Sequence, residues 1–200
     1  LHAETVPDVQ AVLRSLGGIP LFGVGDGDIM YDDLSLYPEW ERAVKAMGIP
    51  FAQVVGNHDL DLKERSDAAS TTTFQRHFGP AYYSFNRGQV HYVVLDDVFY
   101  YDGGYLGYLT DEQLGWLAAD LARVERGTPV VVFLHIPLYS TIALREGQPK
   151  PGLATAVTNR EAVYRLLEPF KAMVLSGHIH ENDTPTGGGV RERNHGTVCG

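Results

Sequence analysis

Apolar positions along this chain switch repeatedly between helical and strand spacing. Leu114, Leu117, Ala118 and Leu121 recur at three- and four-residue intervals behind the pair Thr110 and Gln113, which has capping-box spacing, so the pattern predicts a helix over 110–124. The apolar run Val130–Leu134 predicts a strand. Further upstream, Glu4–Leu16 reads as a helix stopped by Gly17-Gly18 and Pro20–Val24 as a strand. A helix over Pro38–Met47, closed by Gly48, precedes a short strand at Phe51–Val55. Two β runs, Ala81–Asn86 and Gln89–Leu95, flank Arg87-Gly88 and suit a hairpin. After a long loop from Tyr139 to Thr158 come a helix at Asn159–Leu167, a strand at Ala172–Leu175 and a last strand-like stretch reaching Gly200. Helices and strands that alternate, with no internal repeat, imply an α/β fold.

Length and charge narrow what such a fold can be doing. A chain of 200 residues suits one large domain or two small ones, with enough length to bury roughly 70% of the unfolded surface. Sixteen Lys and Arg against 25 Asp and Glu leave a net charge of −9, which argues against a nucleic-acid duplex as partner. Cys199 is the single cysteine, so no intrachain disulfide is available. The longest strongly apolar run, near Val130–Leu138, is far short of the ~20 residues of a transmembrane helix.

The chemistry collects where strands end. Gly25-Asp26-Gly27-Asp28 follows the first predicted strand, and Gly56-Asn57-His58-Asp59 follows the second. His135 follows Val130–Leu134, and Gly177-His178-Ile179-His180 follows Ala172–Leu175. Loops leaving strand ends are the usual ligand sites of α/β sheets. Asp28, Asn57, His135, His178 and His180 are oxygen and imidazole donors that suit borderline divalent metals. Four consecutive strand exits, each with a metal-competent side chain, make a joint pattern that a lone exposed His or Asp would not.

These motifs, in this order and over nearly the whole chain, resemble the calcineurin-like metallophosphoesterases. The stretches Asp32–Trp40, Thr73–Asp97 and Asn194–Gly200 are similar to a bacterial branch that often carries a C-terminal accessory domain and is often exported. The resemblance implies a single domain over 1–200, built as a four-layer sandwich of two mixed β-sheets flanked by helices. It also implies two divalent ions drawn from Mn, Fe, Zn, Co or Ni, acting on a small phosphorylated substrate, and an extracytoplasmic location. Asp28 would bridge the ions, Asn57, His135 and His178 would complete one site, and His180 would serve the other. His58 would protonate the leaving oxygen, with Asp59 holding it oriented.

The resemblance also departs from its pattern. The family's first metal motif, Asp-x-His or Asp-x-Gln, is absent, which implies a first strand and its ligands upstream of Leu1 and one incomplete metal site in this chain. Tyr31 follows Asp28 at the Gly-Asp-x-x-Tyr spacing of purple acid phosphatases, where the tyrosine binds ferric iron, so that reading stands as an alternative. A non-catalytic scaffold of the same fold is the other, although Asn57 and His58 are both in place. For substrate contact the candidates are Tyr100 and Tyr105, in a Gly- and Tyr-rich segment read as a flexible loop, and Arg145 in the long loop after His135. His195 is a further residue that could approach the metals, more readily explained as structural.

Overall fold

Strands buried on both faces explain why the central β segments are almost wholly apolar. A computed structural model describes residues 5–15, 22–187 and 189–196. Its elements in chain order are α1 (Thr5–Ser15), β1 (Gly23–Gly25), α2 (Tyr37–Met47), β2 (Phe51–Gln53), α3 (Asp67–Ser70), α4 (Thr72–Phe78), β3 (Tyr83–Arg87) and β4 (Val90–Val94). They continue with β5 (Val98–Tyr101), β6 (Gly104–Gly107), α5 (Asp111–Leu121), β7 (Pro129–Phe133), α6 (Ile142–Arg145), α7 (Arg160–Leu167), β8 (Lys171–Ser176), β9 (Thr186–Gly187) and β10 (Val190–Asn194).

Six strands form one mixed sheet in the order β3-β4-β7-β8-β10-β9, parallel through its middle and antiparallel at both edges. Side chains alternate across it with the two-residue period of a pleated strand. Val93, Val130, Val132 and Val174 face α5 and α7, meeting Leu117, Leu121, Val163 and Leu167. Val94, Val131, Phe133 and Leu175 face the other way, onto Val24 and Ala52 of the parallel pair β1–β2. Beyond that pair lies α2, whose Trp40 packs against Gly25. The succession helix, sheet, sheet, helix is the four-layer arrangement expected. Among the described residues the six-stranded sheet is mixed, the second sheet layer holds the parallel pair β1–β2, and β5–β6 forms a separate antiparallel pair.

Most element positions follow the sequence pattern, and the departures have local causes. The predicted stop at Gly17-Gly18, the start of the strand at Pro20, and Cys199 with the chain end lie outside the described residues. The hairpin turn is Gly88-Gln89, one residue later than expected, because Arg87 still pairs with Val90 and Gly88 takes the positive φ of 60°. Thr110 caps α5 by accepting from Gln113 N, but the Gln113 side chain does not close the box. It instead clamps the backbone of Asp96, donating to its carbonyl at 2.6 Å and accepting from its N–H at 2.9 Å. The segment read as a flexible loop is the hairpin β5–β6, turning on Asp102-Gly103 with φ 45° and 79°. Asp-Gly is a type I′ signal, so the turn chemistry of this segment outweighs its Gly- and Tyr-rich composition.

A buried carboxyl on β10 ties α7 and the long loop to the sheet. Glu192 accepts from the Tyr164 hydroxyl and, at 3.0 Å, from Tyr139 N. Burial pushes its carboxyl up to about 7, opposed by those two hydrogen bonds and by Arg160, with Asp183 adding to the rise. The folded group therefore keeps its proton at a pH where the unfolded one has lost it, and its contribution to stability is present in acid and withdrawn as pH rises through 7. Unfolding of wild type and Glu192→Gln compared from about pH 5 to about pH 8 should shift in favour of the variant by on the order of 2–3 kcal/mol. A pH-independent difference would contradict the assignment.

Candidate metal centre

Four parallel strands deliver the predicted donors to one point. Asp28 follows β1, Asn57 follows β2, His135 follows β7 and His178 follows β8, all at the C-terminal strand ends. The approach needs residues without side chains. A Cβ on Gly27 would collide with His135 Nδ1, and one on Gly56 with Asp28 N and Oδ1. Asp28 and His178 themselves sit in the left-handed region, at φ 55° and 67°, a strain that L residues carry mostly at functional sites.

One ligating atom each from Asp28, His135 and His178 lies within 4.8 Å of the others. His135 Nδ1 donates to Asp26 O at 2.7 Å, and His178 Nε2 donates to Ala154 O at 2.8 Å. Those carbonyls can only accept, so in each neutral ring the lone pair sits on the other nitrogen. His135 Nε2 and His178 Nδ1 are 3.1 Å apart, Asn57 Oδ1 is 3.1 Å from His135 Nε2, and Asp28 Oδ2 is 3.2 Å from it. Four electron pairs thus face one another, and positive charge between them relieves the repulsion. Burial opposes charge on His135, but Asp28 holds its proton so well that the ring is raised to about 9. Burial and the neighbouring His135 push His178 down to about 4. A divalent ion can take the place of that proton, and the carbonyl-anchored rings, the carboxylate and the amide oxygen fit one.

The backbone around the centre is braced by two buried acids. Asp97, wholly buried, accepts from His135 N at 3.0 Å and Ile136 N at 3.3 Å. Asp59, also wholly buried, accepts from Ile29 N, Met30 N and Gly56 N at 2.8–2.9 Å. This corrects the expectation that Asp59 orients His58, since its oxygens are taken by the loops that carry Asp28 and Asn57. Asp32 fills that place, its carboxylate 2.9 Å from His58 Nδ1. His58 N in turn donates to Asp28 Oδ1 at 3.0 Å.

The remaining candidates divide. Tyr105 reaches the centre, its ring edge-on to His178 with centroids 5.9 Å apart. Tyr100 does not: it is 2% exposed in the core under α4, and its hydroxyl donates to Leu62 O. Tyr100 and Tyr105 are direct partners across the β5–β6 hairpin and share one of its faces, Tyr100 inside an apolar cluster that Tyr105 only borders. Arg145 is half-exposed and lies 3.5 Å from Glu181. His180 is exposed and lies outside the Asp28–His135–His178 group, and Tyr31 is turned onto His58. Asp26 supplies its carbonyl to His135, which leaves Asp28 as the carboxylate of the group. His195 engages Ser176 O through its backbone N–H. Sequence reasoning missed Asp32, Asp97 and the Ala154 carbonyl. The two acids could have been suspected from Asp96-Asp97 at a strand exit and from Asp32-Asp33 beside Asp28, whereas a backbone carbonyl leaves no sequence signal.

Comparison with known proteins identifies the family. The calcineurin-like phosphoesterase family matches residues 2–182. The chain belongs to that family. It is 30% identical over 178 residues to purple acid phosphatase 22 of Arabidopsis thaliana, covering 77% of this chain and 36% of that protein. It is 32% identical over 146 residues to the mouse serine/threonine-protein phosphatase CPPED1, covering 71% of this chain and 46% of that one. The chain thus spans less than half the length of these relatives. Among solved structures, the yellow lupin purple acid phosphatase PPD1 superposes with a TM-score of 0.69 at 18% identity, over 96% of this chain and 39% of that one. GAP50, the anchor in the inner membrane complex of Plasmodium, gives 0.62 at 13% identity, over 96% of this chain and 65% of that chain. Both of these curated relatives are phosphatases.

Metal-free protein titrated with Mn²⁺ or Zn²⁺ should gain several degrees in Tm, because an ion that binds only the folded state stabilises it by mass action. His178→Ala and Asp28→Asn should lose most of that gain. An unchanged wild-type Tm would contradict a metal site here.

Proposed function

We propose that this chain hydrolyses phosphate esters with a divalent ion held by Asp28, Asn57, His135 and His178. The observation that carries the reading is the convergence of four lone pairs with both imidazoles locked by backbone carbonyls. Bound there, the ion would lower the pKa of a water and offset the charge of the phosphoryl oxygens. Asn57, as a neutral donor, leaves more of the ion's positive charge for substrate than a second carboxylate would. Asp28 adds the one negative charge and, through its other oxygen, fixes the backbone of His58.

His58 is the proton donor to the leaving oxygen. Its Nδ1 is engaged by Asp32, so the ring is oriented, while Nε2 has no protein partner among the described residues. Tyr105, edge-on to His178, borders the substrate side of the centre. A second ion would share Asp28 and draw on the exposed His180. Among the described residues that leaves it a poorer donor set, so the chain holds one ion tightly and a second weakly.

His58→Asn should keep its metal content and lose about two orders of magnitude in turnover of an alkyl phosphate. The loss should be smaller for a p-nitrophenyl ester, whose leaving oxygen needs little protonation. Asp32→Asn should show a lesser loss in the same direction, and unchanged turnover in His58→Asn would overturn the role. Elemental analysis after desalting should find about one ion per chain, and two retained ions would contradict the weak second site.

A further inference from the structure

The turn that follows Asp28 is built against the preferences of one of its residues. Asp33 N donates to Met30 O at 3.0 Å, and both central residues are left-handed, Tyr31 at φ 56° and Asp32 at φ 66°. That is the geometry of a type I′ turn, whose central positions favour Gly, Asn and Asp. Asp32 suits it. Tyr31 does not, because a bulky side chain at positive φ is strained. Nor does burial compensate: Tyr31 is 81% exposed, more than any other large hydrophobic side chain among the described residues.

The turn is nevertheless fastened to one place. Asp32 N donates to His58 O at 3.0 Å, and the Asp32 carboxylate meets His58 Nδ1 at 2.9 Å. The Tyr31 ring lies almost parallel to the His58 imidazole, with centroids 5.6 Å apart and an interplanar angle of 11°. A strained turn therefore holds an open aromatic face beside the ring that serves as proton donor. Backbone strain without compensating packing is a sign of function.

We propose that Tyr31 is a leaving-group platform and that the centre takes phosphate esters whose leaving group is a flat aromatic ring. The proposal rests on the phosphoesterase reading above and names its substrate class. During hydrolysis the water oxygen bonds to phosphorus and the bond from phosphorus to the aryl oxygen breaks. The electron pair stays on that oxygen, which takes the His58 Nε2 proton while its ring stacks on Tyr31. Charge narrows the class further. Asp32 and Asp33 lie on the same turn, and no Lys or Arg is a hydrogen-bond or ion-pair partner of Asp28, Asn57, His58, His135 or His178 among the described residues. A leaving group carrying further phosphates would meet carboxylates there and no fixed cation. The favoured ring is neutral or cationic.

The test uses two non-hydrolysable probes on metal-loaded protein, phenylphosphonate and methylphosphonate, with hydrolysis of phenyl phosphate and metal content measured alongside. Wild type should bind the phenyl probe up to about tenfold more tightly than the methyl probe. Tyr31→Ala should abolish that preference with metal content unchanged, and Tyr31→Phe should keep it. A preference that survives Tyr31→Ala overturns the platform. So does a visible charge-transfer band or a metal site lost in Tyr31→Phe, either of which would make the hydroxyl a metal ligand. A Tyr31-dependent phenyl preference in protein that hydrolyses no ester supports the platform and counts against the phosphoesterase reading alone.

Discussion

Two imidazole nitrogens 3.1 Å apart, faced by a carboxylate and an amide oxygen, are an arrangement that needs positive charge at its centre, a proton on His135 or a metal ion in its place. Much of the surrounding structure serves to hold it. The Asp26 and Ala154 carbonyls fix which nitrogen of each ring is bare, Asp97 pins the His135 backbone, and Asp59 laces together the Asp28 and Asn57 loops. Gly27 and Gly56 leave room for those loops to touch. The donors come from four strands far apart in sequence, so the rigidity of the two packed sheets sets their spacing.

The same division explains what could be read in advance. Strands covered on both faces, such as β7, announce themselves as unbroken apolar runs, and the Gly-flanked donors at their ends mark the metal centre from sequence alone. What went unread depends on partners chosen in space. Asp59 sits next to His58 in the chain but bonds to backbone amides thirty residues away, and Asp32, distant in the chain, takes the ring instead. Tyr100 and Tyr105 are partners on one face of the β5–β6 hairpin, yet Tyr100 is closed into the core while Tyr105, at its border, meets His178. Gln113 has the spacing of a capping residue and is diverted to the Asp96 backbone, a better-defined partner than the helix end.

Around the metal-competent core lies a less buried rim that gives it direction. His58 and Tyr31 are joined through Asp32, which fastens the imidazole and the aromatic face to one turn. The rim is acidic and aromatic and the core is imidazole-rich, a contrast that matches the two tasks proposed for them: holding charge near phosphorus and sorting leaving groups. Membership of the calcineurin-like phosphoesterases fits the first of these proposed tasks, and the strained turn at 30–33 is the basis of the second.

Anomalous diffraction from crystals grown with Mn²⁺ tests the central claim most directly. The account predicts a strong peak about 2.0–2.3 Å from both His135 Nε2 and His178 Nδ1, with Asp28 and Asn57 oxygens completing its contacts. Metal density held by other residues, with these two nitrogens still in direct contact, would contradict it.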